Sequence, residues 1–264
     1  MSEENYRFSG ISRLYGAQAP SALRSAHICV VGIGGVGSWT VEALVRSGIG
    51  RITMVDLDDI CITNVNRQLH ALDGNIGRLK VRALEERCLL INPDVKISAI
   101  EDFLTSSTVA DILSEEFDYV VDAIDSLDNK AVLVDECLKR SIPIITIGGA
   151  GGKQDPTKIL VDDLANSWND RLLQRLRKKL RREYSYPTDR TPFNIKSVFL
   201  PELPFLAQDD GSVCQIRKEE QKSYRLDCYT GFGSAAFVTG TFGFVAASEV
   251  VKDICSKSSD FVKN

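Results

Sequence analysis

Short apolar runs and longer amphipathic stretches take turns along roughly the first 150 residues. The runs His27 to Val31, Arg51 to Val55, Lys96 to Ile100, Tyr119 to Asp122 and Ile144 to Ile147 are four or five residues long and rich in Val and Ile. That length and β-branched content predict strands. Between them, Val36 to Ser47, Asn75 to Leu90 and Asp128 to Arg140 carry apolar residues at three- and four-residue spacing, the period of a helix with one buried face. Pro93 and Pro143 punctuate the turns that follow the last two. Strands alternating with helices predict an α/β fold with a Rossmann-like, doubly wound, mainly parallel sheet.

Beyond Gly152 the alternation breaks down into a basic amphipathic segment, a Pro-containing loop, short apolar runs and a final Gly/Ala-rich helix. No polar low-complexity linker and no internal repeat divides the chain. Residues 1–264 therefore read as a single domain, with a nucleotide-binding core over about 20–152 and an appended, substrate-facing carboxyl-terminal subregion over about 153–264.

The first strand runs into VGIGGVG, and the helical pattern starts just beyond it. Gly32, Gly34 and Gly37 fit G-x-G-x-x-G, and Gly35 lies inside the same loop. One glycine turns the chain, one lets a phosphate approach the backbone, and one packs helix on strand beneath the positive helix end. Asp56 closes the second strand nineteen residues after Gly37, where a carboxylate suits ribose hydroxyls. Alone, this pattern fits a nicotinamide or flavin enzyme equally well.

The segment DLDDICITNVNRQ shifts the balance toward a triphosphate. It supplies Asn64, Arg67 and Gln68, and Lys80 follows in the next helix. A pyrophosphate is usually held by backbone amides, whereas cleaving ATP calls for fixed cations on oxygens that gain charge. In VVDAIDS, Asp122 ends a strand at the ligand-facing edge and is the candidate magnesium ligand, since magnesium favours one or two carboxylates plus phosphate oxygens. Asp125 reads as the N-cap of a helix starting at Ser126.

Taken together, GIGGVG, Asp56, NVNRQ, Lys80 and DAIDS resemble the adenylating domain of the ubiquitin-activating superfamily, which includes bacterial enzymes of molybdopterin and thiamine synthesis. The resemblance implies ribose binding by Asp56, phosphate binding by Asn64, Arg67 and Lys80, and magnesium on Asp122. It also implies a homodimer in which Arg13, in SRLYG, reaches the partner's ATP site. Molybdopterin- and thiamine-type members usually carry two CxxC pairs for zinc, and this chain has none among its seven cysteines. Instead HICVVGIGGVGSW, NRQLHAL, TIGGAGGKQDPT and DCYTGFGSAAFVTGTFGFVA resemble the tRNA threonylcarbamoyladenosine dehydratases over nearly the whole chain.

That narrower resemblance implies an ATP- and Mg2+-dependent enzyme acting on threonylcarbamoyl-modified tRNA. Adenylation of the threonyl carboxylate would let the neighbouring carbamoyl nitrogen close a ring, with release of AMP. A monovalent cation is kept as an additional ion with no residue assigned to it, and a sulfur-acceptor protein of a cysteine desulfurase system as an additional partner. Two alternatives share part of the signature. Activation of the carboxyl terminus of a ubiquitin-like or sulfur-carrier protein uses the same ATP site, while a nicotinamide oxidoreductase leaves Arg67, Lys80 and Asp122 unexplained.

Composition agrees with one full α/β core, at 44% hydrophobic and 26% charged residues over 264. The opening Met1 to Phe8 is polar and acidic, without the basic and apolar regions of a secretory leader, and the scattered cysteines suit a reducing compartment; both point to the cytoplasm. A net charge of −4 argues against a uniformly nucleic-acid-coating surface. Charge is nevertheless concentrated in RLLQRLRKKLRR, where Arg171, Arg175, Arg177, Lys178, Lys179, Arg181 and Arg182 are the candidate tRNA contacts, opposite an apolar face of Leu172, Leu173, Leu176 and Leu180. A solvated helix face is the competing reading. Neutralising Arg177, Lys178 and Arg181 is predicted to weaken tRNA binding and flatten its salt dependence.

Cys228, in DCYTGFG, is a candidate nucleophile for a thioester, against the alternatives of direct ring closure from the adenylate and an inert buried thiol. From Cys228 to Ser248 no residue is charged, a length that could cross a bilayer. The segment has no Leu or Ile and many Gly, Ser and Thr, so a buried helix is the better reading and membrane association the lesser one.

Overall fold

The computed structural model describes residues 6–189, 191–208, 210–215 and 232–257. Strands β1 (His27–Val31), β2 (Arg51–Val55), β3 (Lys96–Ile100), β4 (Tyr119–Asp122), β5 (Ile144–Ile147), β6 (Leu160–Asp163) and β7 (Lys196–Phe199) form one sheet in the order β3-β2-β1-β4-β5-β7-β6. All neighbours pair in parallel except β6 with β7. A separate hairpin joins β8 (Phe205–Ala207) to β9 (Val213–Gln215). The helices are α1 (Ser9–Tyr15), α2 (Ala19–Ser25), α3 (Gly37–Arg46), α4 (Lys80–Ile91), α5 (Val109–Ile112), α6 (Leu127–Lys139), α7 (Arg171–Glu183) and α8 (Ala236–Ser256).

The central strands read as unbroken apolar runs because both sheet faces are covered. Ile28 and Val30 of β1 join a core with Val41 and Leu44 of α3 and Phe242 and Val250 of α8. Cys29 and Val31 turn to the opposite core, with Leu133 of α6 and Leu173, Leu176 and Leu180 of α7. Each large apolar side chain so buried contributes roughly 1.5–3 kcal/mol.

The five expected strands fall where the pattern puts them, and two other expectations need correction. Helix α4 begins at Lys80 rather than Asn75, because residues 75–79 are drawn into a turn against Ile60: Ile60 N–H donates to Arg78 O at 2.9 Å and Gly77 N–H to Ile60 O at 2.8 Å. The strand–helix alternation also continues past Gly152, since β6, α7 and β7 extend the same sheet. Strand β6 (LVDD) escapes an apolar search because it is an exposed edge strand.

The Gly/Ala-rich stretch is the amino-terminal half of α8, lying against α3. A methyl on Gly243 would sit 2.7 Å from Val36 O and 2.8 Å from Trp39 Cβ, so small residues here let two helices approach closely. No helix among the described residues is long and apolar enough to cross a membrane.

Candidate active site

Strand order reverses direction between β1 and β4, and in open α/β sheets the crevice outside the strand ends at such a point is where ligands bind. A cavity of about 1110 Å³ opens there. Its floor is the glycine loop between β1 and α3. Gly32 adopts φ +89°, and a methyl on it would meet Ala123 O at 2.8 Å. A methyl on Gly37 would overlap the Gly32 carbonyl oxygen. Gly34 and Gly35 line the cavity, and the atom nearest a methyl on Gly34 is Gln68 Nε2 at 3.8 Å. Gly32 therefore turns the chain and Gly37 packs against it, while Gly34 leaves open space over the loop.

Asp56 fixes this loop as well as facing the cavity. Its Oδ2 accepts the Ile33 N–H at 2.6 Å and its Oδ1 the Asp58 N–H at 2.9 Å. Burial pushes its carboxyl above the usual range, against the opposing pull of Lys80 and the two amides. Buried His70 supports the same loop through Nε2, 2.8 Å from Ile33 O. Burial holds this imidazole down at about 4, so it is neutral and its Nε2 carries the proton donated to that carbonyl.

The remaining nucleotide candidates converge on the cavity. Asn64 Oδ1 accepts the Cys61 N–H at 3.0 Å, and Gln68 is buried with its Oε1 unpartnered. The Arg67 carbonyl is clamped by Trp39 Nε1 at 3.0 Å and Thr239 Oγ1 at 3.2 Å, which ties the loop to α3 and α8. Its guanidinium reaches Thr63 O at 2.7 Å and Asn66 Oδ1 at 3.1 Å. Lys80 is buried, with Nζ 2.6 Å from Asp58 Oδ2 and 3.8 Å from Asp56 Oδ1. Gly34, Gly35, Asp56, Asn64, Arg67, Gln68 and Lys80 all line one cavity.

Asp122 departs from its expected role. It is 0% exposed and both oxygens are taken: Oδ2 by Lys130 Nζ at 2.7 Å and Thr146 Oγ1 at 2.6 Å, Oδ1 by the Ile124 N–H at 3.1 Å. Of the two carboxylates in DAIDS, the one that is exposed and lines the cavity is Asp125. Nor does Asp125 cap the helix, whose N-cap is Ser126 with no side-chain cap bond. The signal was available in DAIDS: the first carboxylate belongs to a strand buried on both faces, and only the second lies beyond the strand end.

The basic helix also divides. Arg171 and Arg175 line the far end of the cavity beside Lys153 and Asp170. Asp170 caps α7 through the Leu173 N–H at 2.9 Å and holds the Gly149 N–H at 2.9 Å. Arg177 is half-buried against Ser167 Oγ and Leu164 O. Arg181 donates to Pro187 O at 3.0 Å and lies 5.3 Å over the Phe193 ring. Lys179 pairs with Asp128 and Glu183, and Arg182 with Glu183. Lys178 stays exposed. Arg177 and Arg181 are thus each engaged within the fold.

Exposed Arg13, on α1, bonds to Ser9 and does not line this chain's cavity. Cys228 lies outside the described residues. Lys130, Asp58, Lys153 and Thr239 are contributors that the sequence did not single out. Of these, Thr239 had a signal in the apolar stretch that packs against the glycine loop.

The ThiF family model matches residues 9–264. The chain is 45% identical over 254 residues to the tRNA threonylcarbamoyladenosine dehydratase of Escherichia coli K12, covering 96% of this chain and 95% of that protein. Among solved structures, TcdA (CsdL) is 44% identical with a TM-score of 0.89, covering 97% and 96% of the two chains. E. coli TcdA in complex with ATP is 41% identical with a TM-score of 0.84, covering 98% and 97%.

Proposed function

This chain belongs to the ThiF family and, within it, to the tRNA threonylcarbamoyladenosine dehydratases, and from that membership we propose how its cavity works. The enzyme is ATP-dependent and closes the threonylcarbamoyl group of a modified tRNA adenosine to its cyclic form, with loss of water. ATP lies over the glycine loop, and the substrate carboxylate enters from the side of Arg171 and Arg175. The observation that carries this reading is one cavity joining a glycine loop and two cations, Arg67 and Lys80, to a second cationic wall.

A carboxylate is a poor electrophile, so it is first made into a mixed anhydride. One carboxylate oxygen attacks the α-phosphorus of ATP, and pyrophosphate leaves. Arg67 and Lys80 neutralise the charge that grows on the phosphate oxygens. The carbamoyl nitrogen of the same group then attacks the acyl carbon, and its proton passes to solvent. AMP departs with the original carboxylate oxygen, which accounts for the lost water. The nucleophile is intramolecular, with an effective molarity on the order of 10⁵ M or more, so the protein's main tasks are positioning and charge neutralisation.

Of the two carboxylates in DAIDS, Asp125 fits a magnesium ion and Asp122 does not, because Asp125 is exposed at the cavity and Asp122 is sealed. Magnesium held there would neutralise charge on the phosphates. In a homodimer Arg13 would complete the partner's site, which agrees with its position away from its own cavity. The surface outside the cavity is left for tRNA and for a sulfur-acceptor protein.

The test incubates the enzyme with ATP and threonylcarbamoyl-modified tRNA and follows nucleoside mass and AMP. Loss of one water with matching AMP release is expected. AMP exchange without any nucleoside mass loss would favour a carrier-protein carboxyl terminus as substrate.

A further inference from the structure

Lys130, in the first turn of α6, is 0% exposed and sits directly behind the cavity. Its Nζ donates to Asp122 Oδ2 at 2.7 Å, to Asp122 O at 3.4 Å and to Thr146 Oγ1 at 3.3 Å. The Thr146 hydroxyl in turn donates to Asp122 Oδ2 at 2.6 Å, so β4, β5 and α6 meet at one ion pair. Asp122 Oδ1 takes the Ile124 N–H, and the Ala123 N–H goes to Val31 O at 2.9 Å. The loop from Ala123 to Ser126 is therefore held from behind, and Asp125 rides on it into the cavity.

Stability alone gives no reason for such a pair, because a fully buried ion pair often does no better than apolar residues of similar volume. What it supplies is a fixed position. The loop also touches the phosphate floor, since Ala123 O is the atom that would meet a methyl on Gly32. We propose that Lys130 is a positioning residue: through Asp122 and Thr146 it sets the loop that carries Asp125, and so fixes where the cation beside the ATP phosphates is held. This rests on the reading of Asp125 as the magnesium ligand.

The triple variant Asp122→Leu, Lys130→Met, Thr146→Val removes the pair and leaves no unpaired buried charge or hydroxyl. It is melted, and its Mn2+ affinity with a non-hydrolysable ATP analogue bound is measured by electron paramagnetic resonance. Asp125→Ala is measured beside it. The triple variant is expected to fold and to bind the analogue without metal as the parent does, yet to lose about tenfold or more in Mn2+ affinity, the usual loss when groups supporting a metal ligand are removed. Parent-like Mn2+ affinity in the folded triple variant, with Asp125→Ala impaired, overturns the positioning role. Parent-like affinity in Asp125→Ala overturns the metal reading instead, and the proposal with it. If the triple variant does not fold, Thr146→Val alone keeps the ion pair and is expected to lose Mn2+ affinity to a smaller degree; no loss overturns the proposal.

Discussion

Replacing Gly34 and Gly37 by alanine, one at a time, separates phosphate binding from folding within a single loop. A methyl on Gly34 meets nothing closer than Gln68 Nε2 at 3.8 Å, an ordinary contact, and it points into the cavity wall. Gly34→Ala should therefore fold, with a stability change within about 1 kcal/mol. A phosphate oxygen held by the loop amides lies at about 2.7–2.9 Å, and a methyl in its path displaces it. Losing one charge-assisted hydrogen bond costs about 1.5–3 kcal/mol, and 1.4 kcal/mol is tenfold, so ATP should bind about 10- to 100-fold more weakly. Gly37→Ala is the opposite case, because its methyl overlaps Gly32 O and lies 3.4 Å from Ala123 Cβ. Overpacking of this kind costs about 1–3 kcal/mol or more, and at about 2–4 °C per kcal/mol the melting temperature should fall by several degrees. Calorimetric ATP titration and thermal melting of both variants decide the matter. Parent-like ATP affinity in Gly34→Ala would refute the assignment of that position to phosphate approach, and equal melting losses in the two variants would refute the division of labour.

Asp122→Ala strands the Lys130 ammonium in a dry site and should cost about 3–5 kcal/mol, seen as a large fall in denaturant midpoint, whereas Asp125→Ala should melt like the parent. Arg171→Glu with Arg175→Glu should weaken tRNA binding and flatten its salt dependence by about 0.7–0.9 for each phosphate no longer neutralised, and an unchanged slope in filter binding would remove these residues from the tRNA path. His70, held at about 4 against 6.5 unfolded, binds fewer protons folded than unfolded between those values; its contribution is fully present above about 6.5 and is lost toward 4, about 3 kcal/mol in all. Urea midpoints of the parent and His70→Gln should converge across that window, and parallel pH profiles would exclude His70. Mixing Arg13→Ala with Lys80→Ala subunits should restore part of the AMP yield through one intact composite site, and no recovery after proven subunit exchange would return Arg13 to its own subunit.

The central strands were legible in the sequence because both sheet faces are covered there, so burial wrote itself as a continuous apolar run. The glycine loop was legible because its demands are largely local: Gly32 sits at φ +89°, and a methyl on Gly37 would overlap the Gly32 carbonyl five residues earlier. What was not legible depended on partners that meet only in the fold. Nothing local to β4 says that Asp122 meets Lys130 eight residues later and Thr146 on the next strand, so a carboxylate at a strand end looked like a ligand. Likewise the basic helix shows seven cations in sequence, but only the fold shows Arg177 reaching back to Leu164 and Arg181 forward to Pro187.

The placement of Asp122 and that of the helix cations share a physical feature that bears on how the site works. A charged group in an α/β enzyme can face the ligand or hold the element that faces it, and both roles place it near a strand end or a helix start. Burial separates them: Asp122 and Lys130 are sealed, while Asp125, Arg171 and Arg175 are exposed at the cavity. Lys80 and Asp56 combine the roles, each nearly buried and each lining the cavity, with Asp56 bonded to the very loop on which phosphate would rest. Substitutions at those two positions should therefore mix stability with affinity, whereas Gly34, Asp125 and Arg171 should report on ligand alone. That contrast makes the latter three the cleaner probes of the adenylation chemistry.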